Sequence, residues 1–357
     1  MSKQKFLLSL RPVDTYFFGG ERTFGQAKKE MQKKERAALR SLKDTSYLAI
    51  SNPYPQQTTL LGLLRYLLLQ QNGALPLHQN RTKANVLIGP KSFQPDGELE
   101  QDFGTIEQLS PLLIQKDQQL YRFSNLLEKS LAHSETETVE SIAANGFQLQ
   151  IPKLEGFNPK ETSALQLINP EGQTQGMSNV MESVERIGIT KGAENEGFYK
   201  QKSFRLKDDF AFAVIVTLET SFQHQGLQQT TLADTVVPFG AEQRPFLVRM
   251  QPTETSLETL FPCHEDGRKI ILLSDALVDN KIYRHCDFAI TDTQDFRSTV
   301  VDVQSGSFSK SSVKYNLLKR GSCLLVKSGQ LKVVEALLQA PHHFRKIGFN
   351  HYLKQHH

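Results

Sequence analysis

SNPYPQQTTLLGLLRYLLLQ, residues 51–70, sets ten nearly unbroken apolar residues behind two threonines and places one arginine, Arg65, among them. Leucines at 60, 63, 64, 67 and 68 recur at the spacing of one helix face, which predicts a helix from Thr59 to about Gln71, stopped by Asn72-Gly73. Pro53 and Pro55 hold the approach extended, so Thr58 is the expected N-cap. Ten residues fall short of the roughly 18 that a membrane span needs, and no membrane partner is expected. Thr58, Gly62 and Arg65 share one side of the helix. Two readings of that strip stay open. In one, free N–H groups at Thr58 and Thr59, the positive dipole end, a bare Gly62 and the Arg65 guanidinium form an anion cradle. In the other, Gly62 permits close helix-to-sheet packing and Arg65 snorkels to the surface.

Outward from this helix, β and α signals alternate. Residues 6–13 and Tyr47–Ile50 read as strands before it, 85–93 as a strand after it. FAFAVIVTLE, Phe210–Glu219, is rich in β-branched and aromatic residues and is expected at the centre of a sheet. Short strands follow at 269–273, 288–290 and 323–327, then a helix at 331–338 that ends before Pro341. At 357 residues, the chain exceeds what one core usually organises. The expectation is an α+β protein of two ferredoxin-like domains: 1–220, with insertions near 20–46 and 94–200, and 221–357.

The composition, 38% hydrophobic and 22% charged, is that of a globular protein. Cys263, Cys286 and Cys323 are odd in number and irregularly spaced, which fits a reducing compartment. The apolar patch after the first lysines is shorter than a signal-peptide core and ends at Arg11-Pro12, so a cytoplasmic location is expected. Net charge is only +4, but it is clustered. Lys28 to Lys43 carries seven basic residues, Lys28, Lys29, Lys33 and Lys34 among them, against two glutamates. From Ser305 onward there are nine basic residues and one acid. Such clustering fits a bound polyanion; a solvated helix face with i, i+4 pairs is the other reading of the first cluster.

A faint repeat relates Phe18-Gly19-Gly20-Glu21-Arg22 to Phe239-Gly240-Ala241-Glu242-Gln243-Arg244. Each is a glycine loop that lets a partner approach the backbone, followed by an arginine able to fork onto phosphate. A tight turn with a surface Glu–Arg pair is the competing reading.

GxSxG, Walker A, GxGxxG and HExxH motifs are all missing, so no catalytic residue, cofactor or small-molecule substrate is assigned. Cys263-His264 and His285-Cys286 make no zinc site, since adjacent residues of an extended chain point opposite ways and no CxxC anchors them. His342, His343 and His351 in the basic tail leave a metal-independent ribonuclease as the alternative.

Pro53-x-Pro55-x-x-Thr58-x-x-x-Gly62-x-x-Arg65 resembles a segment of CRISPR-associated RAMP proteins. The order of further motifs is similar to subunit three of type III-B Cmr effector complexes: Pro12, Asp14, Phe17 and Phe18; Arg186-Ile187-Gly188-Ile189 with Glu196-Gly197-Phe198-Tyr199; Gly240 to Arg244; and Gly321-Ser322. Ala241, the lack of tryptophan and Lys319-Arg320 depart from the family pattern. The resemblance implies a non-catalytic subunit that grips the 5′ handle of a CRISPR RNA and bridges the large polymerase-like subunit to a RAMP backbone subunit. It adds Arg186, Lys191, Lys202, Lys319, Arg320 and Ser322 to the RNA-contact candidates, with Phe17, Phe18, Phe24 and 198–202 as stacking or clamping positions.

Overall fold

In a computed structural model the described residues are 3–19, 22–24, 47–96, 100–125, 139–144, 147–152, 165–190, 197–219, 232–265, 267–302, 307–310 and 313–355. The expected contacts Gly20, Lys28, Lys29, Lys33, Lys34 and Lys191 lie outside them.

The architecture is α+β and strand-rich. Its principal sheet, nine-stranded among the described residues, runs in the order Thr174–Gly176, Leu165–Ile168, Gln119–Asn125, Leu113–Lys116, Phe210–Glu219, Lys3–Pro12, Arg244–Pro252 and Leu232–Phe239. Ile106–Leu109 also pairs with Phe210–Glu219. The neighbours are antiparallel, with Leu8 opposite both Val214 and Met250. Phe6, Leu8 and Leu10 alternate inward on the first strand, as period-two patterning requires. On one face of the sheet, Phe212, Val214 and Val216 join the core with Leu60, Leu64 and Leu67 of helix α1 (Gln57–Gln71). On the other face, Ala213 and Ile215 meet Phe261, Leu273 and Leu353. A second sheet runs Cys286–Ile290, Cys323–Val326, Lys269–Leu272, Tyr352–Gln355. Strands 232–239 and 244–252 belong to the principal sheet, so it continues past residue 220, where a division was expected.

Two local expectations are corrected. Residues 85–93 are not a strand: helix α2 occupies Arg81–Ile88, burying Ala84 and Leu87 at helical spacing. It stops at Gly89, whose φ of +79° and approach to the Asp102 carbonyl leave no room for a Cβ. Helix α1 starts at Gln57, not Thr59, and its N-cap is Gln56, with no side-chain capping bond from Thr58. The buried Gln57 sets this start by donating from Nε2 to the Ser110 carbonyl at 2.9 Å.

The basic tail is folded inward. His343 and His351 are buried. The ring Nε2 of His343 lies 3.2 Å from the Pro95 carbonyl and that of His351 3.2 Å from the Arg345 carbonyl, the geometry of N–H donors. Only His342 of the three histidines is exposed.

Gly62 is exposed and a Cβ there meets nothing within 4 Å, so close packing does not require the glycine. Gly62→Ala is expected to stabilise by about 0.5–1 kcal/mol, whereas Leu64→Ala, at a fully buried position, is expected to cost about 2–5 kcal/mol; urea titrations measure both. Burial lowers His351 from 6.5 to about 4, with the bond to the Arg345 carbonyl opposing it. As pH falls, the unfolded chain therefore takes the proton first. The contribution is whole above about 6.5 and is lost between 6.5 and 4, a change on the order of 3 kcal/mol. Wild-type urea midpoints should fall more steeply from pH 7 to 4.5 than those of His351→Gln.

Candidate nucleic-acid interface

A four-stranded sheet, ordered Met181–Thr190, Gly197–Leu206, Tyr47–Ile50, Arg22–Phe24, stands beside the principal one. Backbone bridges from Tyr16 to Phe204 and from Phe18 to Asn52 join the two. An aromatic cluster fixes that junction: the Phe18 ring lies 5.1 Å from Tyr16 and 5.3 Å from Phe239, and Phe239 lies 5.1 Å from Phe246. Phe18 is therefore a core residue at 3% exposure, not a stacking platform.

The same junction brings the two glycine loops together. Ala241 N–H donates to the Phe17 carbonyl at 3.0 Å, and Gly240, at φ +85°, sits where a Cβ would lie 2.7 Å from that oxygen. Asn52 Nδ2 donates to the exposed Gly19 carbonyl at 3.1 Å. Arg244 pairs with Glu242 Oε2 through Nε at 2.9 Å and Nη2, and Gln201 also donates to Glu242. The Glu–Arg turn is thus the arrangement at Gly240–Arg244. Arg22 contributes backbone pairing to Ala49.

Next to Gly19 opens a cleft of about 1120 Å³. It is lined by Asn52, Tyr54 and Gln56 at the start of α1, by Lys202 and Phe204, and by Thr293–Phe296, Arg297, Lys314 and Lys319, the last two flanking the paired strand Tyr315–Leu318. Lys202, Arg297, Lys314 and Lys319 line it against two carboxylates, Glu182 and Asp295. Lys314 is paired with Asp295 at 2.5 Å and Lys319 with Asp292 at 3.0 Å. Such solvent-exposed pairs are weak and exchangeable for another anion. With the amides of Asn52, Gln56 and Gln166 and the half-exposed Phe204 ring, the cleft offers charge, hydrogen bonding and one aromatic face.

Of the sequence-predicted residues, Gly19, Lys202 and Lys319 share this cleft. Thr58 and Thr59 are half-buried in the first turn of α1, next to Gln56. Arg65 is turned onto the protein: Nη2 donates to the Lys91 carbonyl at 3.1 Å and the guanidinium lies 5.7 Å from the Phe103 ring centre. Burial lowers it to about 10, with Asp102 opposing, which leaves it charged at neutral pH. Arg186 lies outside the cleft, donating to Thr15 Oγ1 at 3.3 Å and facing Asp14.

Arg320 and Ser322 are not surface contacts. The Arg320 side chain is 0% exposed and bidentate on Asp275, at 3.2 Å and 3.1 Å, with its guanidinium 4.3 Å from the Tyr54 ring centre and 5.1 Å from that of Phe123. Ser322 Oγ, buried, donates to the Lys319 carbonyl at 2.6 Å. Sequence reasoning missed Arg297, Lys314, Asn52 and Gln166, whose only signal was local polarity. Among the described residues no three His, Cys, Asp or Glu side chains are grouped to hold a metal, and no helix is long and apolar enough to cross a membrane.

Residues 8–161, under half of the chain, match the family model described as CRISPR-associated protein (Cas_Cmr3). No curated protein matches the chain. Among solved structures, it is similar to a chain of the type III-B Cmr-beta complex bound to cognate target RNA, at 12% identity over 98% of this chain and 96% of that one, with a TM-score of 0.49. It is also similar to a chain of the Csm3-Csm4 subcomplex of a type III-A CRISPR-Cas interference complex, at 10% identity over 90% and 93%, with a TM-score of 0.38.

Proposed function

We propose that the chain is a non-catalytic, guide-RNA-binding subunit of a type III-B CRISPR effector complex. In this reading it holds the 5′ handle of the CRISPR RNA and bridges the large polymerase-like subunit to a RAMP backbone subunit. The observation that carries the reading is the cleft itself. Glycine and lysine positions separated by three hundred residues, Gly19, Lys202 and Lys319, meet there with Arg297 and Lys314. The family match over residues 8–161 supports it from the sequence side.

Strand order supports the ferredoxin-like reading of both units. In the principal sheet, Leu113–Lys116, Phe210–Glu219, Lys3–Pro12 and Arg244–Pro252 lie side by side, with α1 between the first and second of them in chain order. The second sheet repeats this split arrangement, with Leu331–Gln339 as the helix before its last strand. A strand, Leu232–Phe239, precedes Arg244–Pro252 where the first unit's second helix would be expected.

Binding of single-stranded handle RNA should weaken as salt rises, with a log–log slope of about 0.7 per phosphate contacted. Lys202→Glu and Arg297→Glu are each expected to lower affinity tenfold or more, the loss of a charge-assisted contact worth about 1.5–3 kcal/mol. Fluorescence anisotropy against an unrelated RNA of equal length measures this; equal binding of both RNAs would count against a dedicated handle site. Arg65→Ala should lower the melting temperature and leave the salt slope unchanged, because its guanidinium is engaged with the Lys91 carbonyl. The isolated protein should leave guide-precursor RNA intact with and without divalent metal. Cleavage that His342→Ala or His343→Ala abolishes would establish the ribonuclease instead.

A further inference from the structure

Arg320 carries a full charge at 0% exposure, and the turn that holds it also holds Lys319, a cation of the cleft. Its backbone N–H and its Nε both donate to Asp275 Oδ1, at 2.9 Å and 3.2 Å, and Nη2 donates to Oδ2 at 3.1 Å. Nη1 is buried with no hydrogen-bond acceptor among the described residues. What the guanidinium meets is a pair of rings: Tyr54 at 4.3 Å and Phe123 at 5.1 Å, which lie 5.1 Å from one another. Asp275 and Arg320 come from the C-terminal half, and both rings from the N-terminal half. Tyr54 lines the cleft two residues before the Gln56 cap of α1.

A buried ion pair is a poor source of stability, because the cost of removing two charges from water offsets most of their attraction. A planar guanidinium, however, fixes orientation as well as distance when its edge is bidentate on a carboxylate and its plane meets aromatic rings. The pair therefore sets how the Lys319 turn sits against the Tyr54–Gln56 segment, and both line the cleft.

We propose that Arg320, held by Asp275, is a positioning residue for RNA binding: it aligns Lys319 with the start of α1 so that both meet one stretch of RNA backbone. This rests on the RNA-binding reading of the cleft. The role is invisible to a charge count, since Arg320 itself never reaches the solvent or the ligand.

The test is the salt dependence of binding, measured by anisotropy with a fluorescein-labelled single-stranded RNA of the CRISPR-repeat handle. Lys319→Ala removes one cation and should lower the log–log slope by about 0.7. Arg320→Lys removes no charge, yet it should lower the slope by the same amount, and the double variant should fall no further than either single one. Phe123→Leu, which is buried and removes only a ring, should act in the same direction and serves where Arg320→Lys melts early. A purely structural Arg320 would change the melting temperature and leave the slope of the folded fraction intact. An unchanged slope in Arg320→Lys or Phe123→Leu, in whichever keeps wild-type melting, beside a lowered slope in Lys319→Ala overturns the proposal. So does full additivity of Arg320→Lys and Lys319→Ala. Salt-independent binding by the wild type would instead remove the RNA reading of the cleft, a result recognisable before any variant is made.

Discussion

Phe210–Glu219 is buried on both faces, and the rest of the fold follows from that constraint. A central strand with both faces covered reads as a nearly continuous apolar run, which FAFAVIVTLE is. Its even-numbered side chains require the leucine face of α1. Ala213 and Ile215 require a second cover, and Phe261, Leu273 and Leu353 supply it. The C-terminal half therefore acts as the second lid of the N-terminal sheet. Strands 232–239 and 244–252 extend the same sheet beyond residue 220.

Apolar contact alone leaves the angle between packed layers adjustable. The Arg320–Asp275 pair beneath Tyr54 and Phe123 is directional where the leucines are not. Removing one member of such a pair costs about 3–5 kcal/mol, most of it from the charge left buried alone. The aromatic cluster of Tyr16, Phe18, Phe212, Phe239 and Phe246 does the corresponding work at the junction with the four-stranded sheet. Residues next to both line the cleft, Tyr54 and Lys319 at the first and Gly19 and Phe204 at the second.

Much of the scaffold was legible because it depends on local pattern. The strand expected at 6–13 lies at Lys3–Pro12, β-branched and aromatic density marked 210–219, and leucine spacing marked α1. The region 85–93 misled because Val86, Leu87 and Ile88 form a short apolar run that fits strand or helix equally well. The helix ends at Gly89, whose φ of +79° and close approach to the Asp102 carbonyl suit only glycine. The site was legible in part for a related reason. Glycine loops announce close backbone approach, and Gly240 does approach the Phe17 carbonyl while Gly19 lies against Ala241. Arg320 and Ser322 were misread because nothing in Lys319-Arg320-Gly321-Ser322 tells which cation faces solvent. That choice is made by Asp275, forty-five residues away. Arg297 and Lys314 escaped notice because a hairpin brings them to the cleft, and the pairing of Phe296 with Tyr315 has no signature in either strand alone.

Carboxylates around the cleft temper its basic charge. Lys314 and Lys319 are already paired, with Asp295 and Asp292, so in the proposed RNA-binding reading a phosphate replaces a carboxylate and does not merely fill an empty positive field. Each exchange is close to neutral in energy at the surface. Affinity then depends on how many exchanges one RNA backbone makes at once, and that number is set by geometry. A strand whose phosphates match the spacing of Lys202, Arg297, Lys314 and Lys319 gains all of them together, whereas a mismatched one gains one or two and leaves the native pairs intact. On that proposal, specificity comes from the rigidity of the cleft, and the buried contacts that hold its lining in place matter as much as the charges that line it.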